Sequence, residues 1–270
     1  MAAAFPAPTW FVGCGNMAGA MVEGWRSAGL DFSNVTVIRP SGTPVDGIRT
    51  ITEYEEGEIP RLVMLGFKPQ KLDEVVPSLA PYVGWRTKVV SMLAGVSAAT
   101  LRERFPNARA VVRVMPNLPV AQRRGVVGLY SEDADREALG SVAGLMELLG
   151  LAPWCDDEAV FSAIGAVAGA GPAYVARFAA ALATGGERLG LDPALAEAIA
   201  VQTLVGTGGM MAATGEGPED VARRVASPKG TTEQGLAVLD ADDGLQQLVD
   251  RMLEAAYRRG QELAAAARSN

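Results

Sequence analysis

The feature that most constrains the fold of this chain is a change of pattern near residue 155. Before that point, short runs rich in β-branched residues alternate with segments of helical periodicity. The strand candidates are "TWFVG", "VTVIR", "RLVMLGFK", "KVVSMLAG", "ARAVVRVMP" and "GVVGLY". Because strands that alternate with helices form parallel sheets covered on both faces, this half predicts an α/β domain.

The rest of the chain has helical character, with long Ala, Leu, Val and Met stretches broken by "GAGP", "GLDP", "GEGP" and "SPKG". We therefore predict an α/β domain over residues 1–155 and an all-helical domain over residues 156–270. The apolar run at residues 159–176 is mostly Ala and Gly and contains Pro172, so it predicts a buried helix rather than a membrane span. The small helical domain has a modest core, which favours homodimerisation through its helices.

Composition excludes several classes of function. Histidine is absent and the only cysteines are Cys14 and Cys155, which argues against histidine catalysis, metal sites and a disulfide framework. The net charge is -7 and no basic cluster stands out, so nucleic acid is not an expected partner. The start "MAAAFPAPTW" lacks the pattern of a secretory signal, and we predict a cytoplasmic protein with no membrane partner.

A glycine pattern follows the first predicted strand, in "WFVGCGNMAGAM". Gly13, Gly15 and Ala18 form a G-x-G-x-x-A arrangement at the opening of a helix. Gly13 allows a tight turn, Gly15 lets the backbone approach a pyrophosphate, and Ala18 permits close helix–strand contact. The pattern alone is weak evidence, but its position between the first strand and the first helix predicts a Rossmann-type dinucleotide-binding domain.

The end of the second strand bears on the choice of cofactor. An NAD-binding site usually has an acidic residue there, whereas "VTVIRPSG" ends in Arg39, Pro40 and Ser41. A guanidinium and a hydroxyl suit a 2′-phosphate, so we predict NADPH as the cofactor, with NADH poorer. The alternative is a solvent-facing arginine.

Two further segments end strands on the expected cofactor side. "GFKPQ" contains Lys68 and Pro69, and "RVMPNLP" contains Met115 and Asn117. Because the carboxyl ends of parallel strands line the ligand cleft of such a sheet, these residues are binding candidates. A surface lysine and a turn-forming asparagine are the alternatives.

The segment "SPKGTT", residues 227–232, interrupts the helical half. Thr231 and Gln234 fit a capping box, which predicts a helix start at which Thr231 bonds backbone amides. Such a start presents N–H groups and a positive dipole end to an anion. An ordinary capped turn between helices is the alternative.

The motifs together resemble one enzyme family. This chain resembles the pyrroline-5-carboxylate reductases in the order and spacing of six segments. They are "FVGCGNMAGAM", "GFKPQ", "SMLAGVS", "RVMPNLPVA", "AGAGPAYVARFAAAL" and "VASPKGTTEQGL". The resemblance covers nearly the whole chain, and "GPAY" and "SP-x-GTT" are its distinctive elements. It implies a Rossmann domain that binds NAD(P)H and a helical domain that forms dimers, which in many members assemble into decamers. It also implies the last step of proline synthesis, by hydride transfer to the C=N carbon of a cyclic imino acid.

The resemblance also implies roles for individual residues. The cofactor-binding residues it implies are Gly13, Gly15, Asn16, Met17, Arg39, Ser41, Lys68, Pro69, Met115 and Asn117. Gly230, Thr231 and Thr232 would hold the substrate carboxylate, and the Thr232 hydroxyl, the catalytic candidate, would lie close to the imine nitrogen. No metal is implied.

This chain departs from the family pattern at several positions. Family members often have hydroxyls or a thiol before "GPAY", where this chain has Ala168 and Ala170. They also often have Thr where this chain has Leu118, and Gly where it has Lys229. A lysine in the loop restricts the backbone where glycine tolerates positive φ, so an altered loop is expected. The departures leave open a related cyclic-imine or keto-acid reductase, or a non-catalytic NADP-binding regulatory protein. The sequence also leaves the redox sensitivity of Cys14 open, since a thiol at a helix N-terminus can have a lowered pKa whereas a buried one can be inert.

Overall fold

The computed structural model describes residues 4–268, with side chains described up to residue 265. The chain forms two compact units. One comprises the described residues up to Ala170 together with those from Ala256 onward, and the other is Gly171–Ala255. The domain boundary predicted at residue 155 stays a prediction.

The first unit contains an eight-stranded sheet in the order β3-β2-β1-β4-β5-β6-β7-β8. The strands are β1 (Thr9–Val12), β2 (Val35–Ile38), β3 (Arg49–Ile51), β4 (Leu62–Leu65), β5 (Lys88–Ser91), β6 (Ala110–Pro116), β7 (Gly125–Tyr130) and β8 (Gly150–Leu151). The first six strands are parallel, whereas β7 runs antiparallel to β6. Their order is that of a Rossmann sheet, which confirms the predicted fold class.

Ten helices accompany the sheet in the described residues. They are α1 (Asn16–Ser27), α2 (Leu72–Leu79), α3 (Ala98–Arg104), α4 (Arg136–Glu147), α5 (Glu158–Ile164), α6 (Gly171–Arg188), α7 (Pro193–Thr214), α8 (Pro218–Val225), α9 (Thr231–Asp240) and α10 (Gly244–Arg268). A single π-helical turn, Gly165–Gly169, follows α5.

The hydrophobic core lies on both faces of the sheet. Alternate side chains of β1 point to opposite faces, so Phe11 joins one buried cluster while Trp10 and Val12 join the other. On the first face Met21 and Trp25 of α1 are fully buried. This two-sided burial explains why the strands read as continuous apolar runs.

The second unit is helical and leaves much apolar surface exposed. Helices α6 and α7 pack closely, since a Cβ on Gly186 would lie 3.1 Å from Leu191 and 3.5 Å from Ala196. By length and composition alone, two stretches qualify as membrane spans, Glu158–Arg188 and Pro193–Thr214, and only 11% of the most apolar window of each is buried.

The expectation of a buried helix at residues 159–176 is wrong for the single chain. Val160, Val167 and Val175 are 44%, 57% and 54% exposed. The physical reason is that the helices from α5 onward carry more apolar surface than one chain covers.

Candidate active site

A cleft of about 920 Å³ opens where the strand order reverses, at the carboxyl ends of β1 and β4. Ligands of open α/β sheets bind at this switch point. The sequence-predicted residues that line it are Gly13, Gly15, Asn16, Met17, Arg39, Ser41 and Lys68. Pro69, Met115 and Asn117 are not among the lining residues. Residues predicted from three separate segments are thus brought together.

The narrowest contact beside the cleft is between Gly13 and Gly66. Gly13 has φ +78, and a Cβ there would lie 2.9 Å from the Gly66 carbonyl oxygen. A Cβ on Gly66 would lie 2.8 Å from the Gly13 oxygen and 3.3 Å from the Ala18 Cβ. Sequence reasoning missed Gly66 as a site residue, although its place directly after β4 is a usable signal. Backbone fills this space, which leaves the cleft floor free of side chains.

Helix α1 begins at the cleft and carries no side-chain cap. Its N-cap is Gly15, in extended conformation, and no side chain accepts from its first turn. The amide groups of a first helical turn lack intrahelical acceptors and form the positive end of the dipole. Together with the glycine floor, they fit the pyrophosphate of a dinucleotide.

Arg39 and Ser41 form a polar pair at the end of β2. Arg39 Nε donates to Ser41 Oγ at 3.1 Å, and the Thr43 amide donates to the same oxygen at 3.3 Å. The Arg39 amide bonds to the carbonyl of Ile51 at 3.0 Å, which anchors the pair to β3. A cation and hydroxyl fixed side by side have the chemistry that a 2′-phosphate requires.

Cys14 lies within the glycine turn and lines the same cleft. Burial raises the pKa of its thiol, and the nearby positive charge of Arg39 only partly opposes this effect. The thiolate is the reactive form, so a raised pKa makes Cys14 a poor nucleophile near neutral pH.

Asn117 is held by the protein on both sides of its amide. Its Oδ1 accepts from the Val126 amide at 2.8 Å, and its Nδ2 donates to the Ala168 carbonyl at 3.0 Å. Met115, two residues earlier, lies against Gly165, where a Cβ would be 3.0 Å from the Met115 Cε. Both residues stand at the end of β6, and their assignment to the nicotinamide side stays a prediction.

The residues predicted to hold the substrate carboxylate lie at the start of α9, in the second unit. The N-cap is Gly230, with φ -82 and ψ 171, and the helix has no side-chain cap. The predicted capping box of Thr231 and Gln234 is therefore wrong. A Cβ on Gly230 would lie 2.9 Å from the Ser227 carbonyl oxygen, a backbone atom, so the turn requires glycine there, and the helix starts one residue earlier than predicted.

The glutamate of the first turn bonds to the loop that precedes the helix. Glu233 Oε2 accepts from the Lys229 amide at 2.7 Å. Lys229 itself has φ +59, so a lysine adopts the left-handed conformation that favours glycine, and its side chain is exposed. The hydroxyls of Thr231 and Thr232 are not used as caps, which leaves them for a ligand.

Comparison with known proteins identifies the family. A family model for the pyrroline-5-carboxylate reductase dimerisation domain matches residues 158–263. The pyrroline-5-carboxylate reductase of Pseudomonas aeruginosa is 35% identical over 265 residues, covering 94% of this chain and 96% of the relative. This chain belongs to the pyrroline-5-carboxylate reductase family. It is an oxidoreductase, and the resemblance found in its motifs is confirmed.

Solved structures of pyrroline-5-carboxylate reductases share the fold. The enzyme from Coxiella burnetii superposes with a TM-score of 0.87 at 30% identity, covering 96% of this chain and 98% of that one. The Plasmodium falciparum pyrroline carboxylate reductase, solved with NADP bound, has a TM-score of 0.82 at 22% identity, covering 97% of this chain and 99% of that one. The combination of a Rossmann sheet and a helical C-terminal region is thus the architecture of the family.

Proposed function

We propose that this protein reduces 1-pyrroline-5-carboxylate to L-proline with NADPH, the last step of proline synthesis. The observation that carries the proposal is the glycine-floored cleft at the β1–β4 switch point in a chain of this family. The Gly13–Gly66 contact and the uncapped start of α1 support a bound pyrophosphate. A cytoplasmic location fits the reduced cysteines of such an enzyme.

The preference for NADPH rests on Arg39 and Ser41. Both line the cleft, and the guanidinium supplies the charge that a 2′-phosphate needs. Glu53, at the exit of β3, lines the same cleft and adds a negative charge. The net preference therefore depends on Arg39 outweighing Glu53, and we propose that it does because Arg39 is held by Ser41.

Substrate recognition is assigned to the start of α9. Gly230, Thr231 and Thr232 would supply amide and hydroxyl groups to the carboxylate of the imino acid. The exposed Lys229 adds positive charge to the same loop. Small carboxylates suit a first helical turn whose own side chains do not cap it.

The chemistry requires no strong general acid. The pyrroline nitrogen carries a proton to an appreciable extent near neutral pH, and the resulting iminium carbon is already electrophilic. The hydroxyl of Thr232 would hydrogen-bond or relay a proton to this nitrogen, while NADPH supplies the hydride. Holding donor and acceptor in near-attack geometry is worth roughly 7–11 kcal/mol, which is sufficient without histidine.

The helical region is proposed to form a homodimer, and the dimers to form a decamer. The dimerisation model covers residues 158–263, where exposed apolar side chains such as Val175, Phe178 and Val205 are concentrated. Such a surface is larger than a monomer normally leaves in water. Sedimentation tests the assembly, and a stable monomer at micromolar concentration contradicts it.

The direct test is a spectrophotometric assay. Purified protein is mixed with 1-pyrroline-5-carboxylate and NADPH, with NADH in a parallel cuvette. We expect rapid loss of NADPH absorbance with formation of proline, and slower loss with NADH. Binding of NADPH without turnover would favour the regulatory alternative, and turnover only with other cyclic imines would favour a different reductase.

A further inference from the structure

One face of β6 runs along the helix that begins with α5. Arg113 and Met115 alternate along β6, and Asn117 follows the last strand residue in extended conformation, so the three residues share a face. Arg113 Nη1 donates to Glu158 Oε1 at 2.8 Å, and its guanidinium lies 4.4 Å from the centre of the Phe161 ring. The strand is thus fixed to the first turns of α5 by an ion pair between the buried Arg113 and the partly exposed Glu158, and by a cation–π contact.

Further along, the same face of the strand contacts the π-helical turn. Within this turn the Ala170 amide bonds to the Gly165 carbonyl at 3.3 Å, five residues back. In an α-helical register the carbonyl of Ala168 would accept from residue 172. Residue 172 is proline and has no N–H group, so this bond cannot form.

Asn117 supplies the missing donor. Its Nδ2 lies 3.0 Å from the Ala168 oxygen, and its Oδ1 is fixed by the Val126 amide, so the orientation of the side chain is set. Asn117 is only 6% exposed and Ala168 is half-buried, so leaving the Ala168 carbonyl without a partner costs free energy. The asparagine of "MPN" and the proline of "GPAY" therefore act as a complementary pair, one removing a donor and the other replacing it.

We propose that Asn117 is a positioning residue that holds the π-helical turn in register beside the end of β6. The proposal rests on the proposed function and on the prediction that the nicotinamide lies at this end of the strand. Two strand spacings, about 10 Å, separate β6 from β4, so the turn lies within reach of a dinucleotide bound at the switch point. Its residues are Gly, Ala and Val, which allows close approach of backbone to a ring.

The register of the turn has a consequence for rate. A slip of one residue along a helix moves the backbone by about 1.5 Å. Misplacement of about 1 Å near the reacting atoms can cost 10²-fold in rate. Loss of the Asn117 donor is therefore expected to lower kcat more than it raises the KM for NADPH or the KM for the imine.

The test is Asn117→Asp, a substitution of the same shape. It keeps the acceptor for the Val126 amide but sets a carboxylate oxygen against the Ala168 carbonyl. At pH 8 we expect kcat to fall at least tenfold, equivalent to about 1.4 kcal/mol. As pH falls the introduced carboxyl takes up a proton and can donate again, so the ratio of variant to wild-type kcat should rise.

Ser131→Ala is the matched control. Ser131 Oγ donates to the Val111 carbonyl at 2.7 Å, near the opposite end of the same strand and about 20 Å from Asn117. The Ser131→Ala substitution removes one hydrogen bond from β6, and we expect kcat to be unchanged. Equal kcat for Asn117→Asp and wild type, or a loss that is the same at every pH, would overturn the proposal.

Hydrogen exchange of residues 165–171 gives a second measurement that does not depend on turnover. In Asn117→Asp at pH 8 these amides should exchange at least tenfold faster than in wild type, and in Ser131→Ala they should not change. Unchanged exchange in Asn117→Asp would overturn the proposal even if wild type is active. A wild type that fails to reduce the imine while the exchange result holds would instead contradict the proposed function alone.

Discussion

Replacing Gly66 by alanine tests the cofactor cleft at its narrowest contact. A Cβ there would lie 2.8 Å from the Gly13 oxygen, and ordinary contact begins at 3.4 Å. The glycine turn would have to move by about 0.6 Å, the difference between these distances. Because the opposing atom is backbone, no side-chain rotation relieves the clash.

The expected cost of Gly66→Ala is that of overpacking, about 1–3 kcal/mol. In melting temperature this corresponds to roughly 2–4 °C for each kcal/mol. The same displacement moves Gly13 away from the pyrophosphate, so we expect the Kd for NADPH to rise about 10- to 100-fold. The assay is a fluorescence titration with NADPH, with circular dichroism and a thermal melt to show that the variant is folded.

Gly19→Ala is the control for this substitution. Gly19 lies one turn further along α1, and nothing lies within 4 Å of a Cβ there. Alanine favours a helix over glycine by about 0.8–1 kcal/mol, so this variant should be at least as stable as wild type and bind NADPH equally well. If Gly66→Ala binds NADPH within twofold of wild type, the reasoning about the cleft floor is refuted.

Four further predictions concern single residues. Arg39→Ala should weaken NADPH binding about 10- to 100-fold and NADH binding little. An equal loss of affinity for both cofactors in a binding titration would show that Arg39 does not bind the 2′-phosphate. Thr232→Ala should lower kcat and Thr232→Ser should restore most of it, whereas unchanged kcat and KM for Thr232→Ala would leave the hydroxyl without a catalytic role. Lys229→Gly should raise the urea midpoint, because lysine at φ +59 costs about 1–2 kcal/mol and the backbone bond to Glu233 remains, and a lower midpoint would contradict this. Cys14 should react slowly with iodoacetamide at pH 7.5 and faster as pH rises towards its raised pKa, and rapid labelling at pH 7.5 would contradict the burial effect.

The sequence predicted the local elements of the first unit well. All six predicted strands are present as β1, β2, β4, β5, β6 and β7. Strands β3 and β8 were missed because they contain only three and two residues, too few for a periodic pattern. The reversed direction of β7 is set by its pairing with β6 and leaves no mark in the strand itself.

Site residues differ in how far the sequence reveals them. The Gly13–Ala18 pattern is local, and it predicted the turn and the helix start correctly. The role of Gly66 depends on the pairing of β1 with β4, a contact between distant parts of the chain. The capping box at Thr231 failed because the contact of Gly230 with Ser227 decides the helix start, and a spacing rule does not contain that contact.

Asn117 is a second residue whose role depends on a contact between distant parts of the chain. Its flanking prolines predicted a turn at the end of a strand, and the strand does end at Pro116. Its bond to Ala168 joins residues that lie 51 positions apart. Only the structure shows that this bond replaces the donor that Pro172 lacks.

The most direct measurement of the central claim is the fate of the hydride. Protein is incubated with 1-pyrroline-5-carboxylate and NADPH deuterated at C4 of the nicotinamide, on the transferred face, and the product is analysed by mass spectrometry. The account predicts L-proline carrying one deuterium at the former imine carbon. Proline without deuterium, or no proline from a protein that binds NADPH, would contradict it.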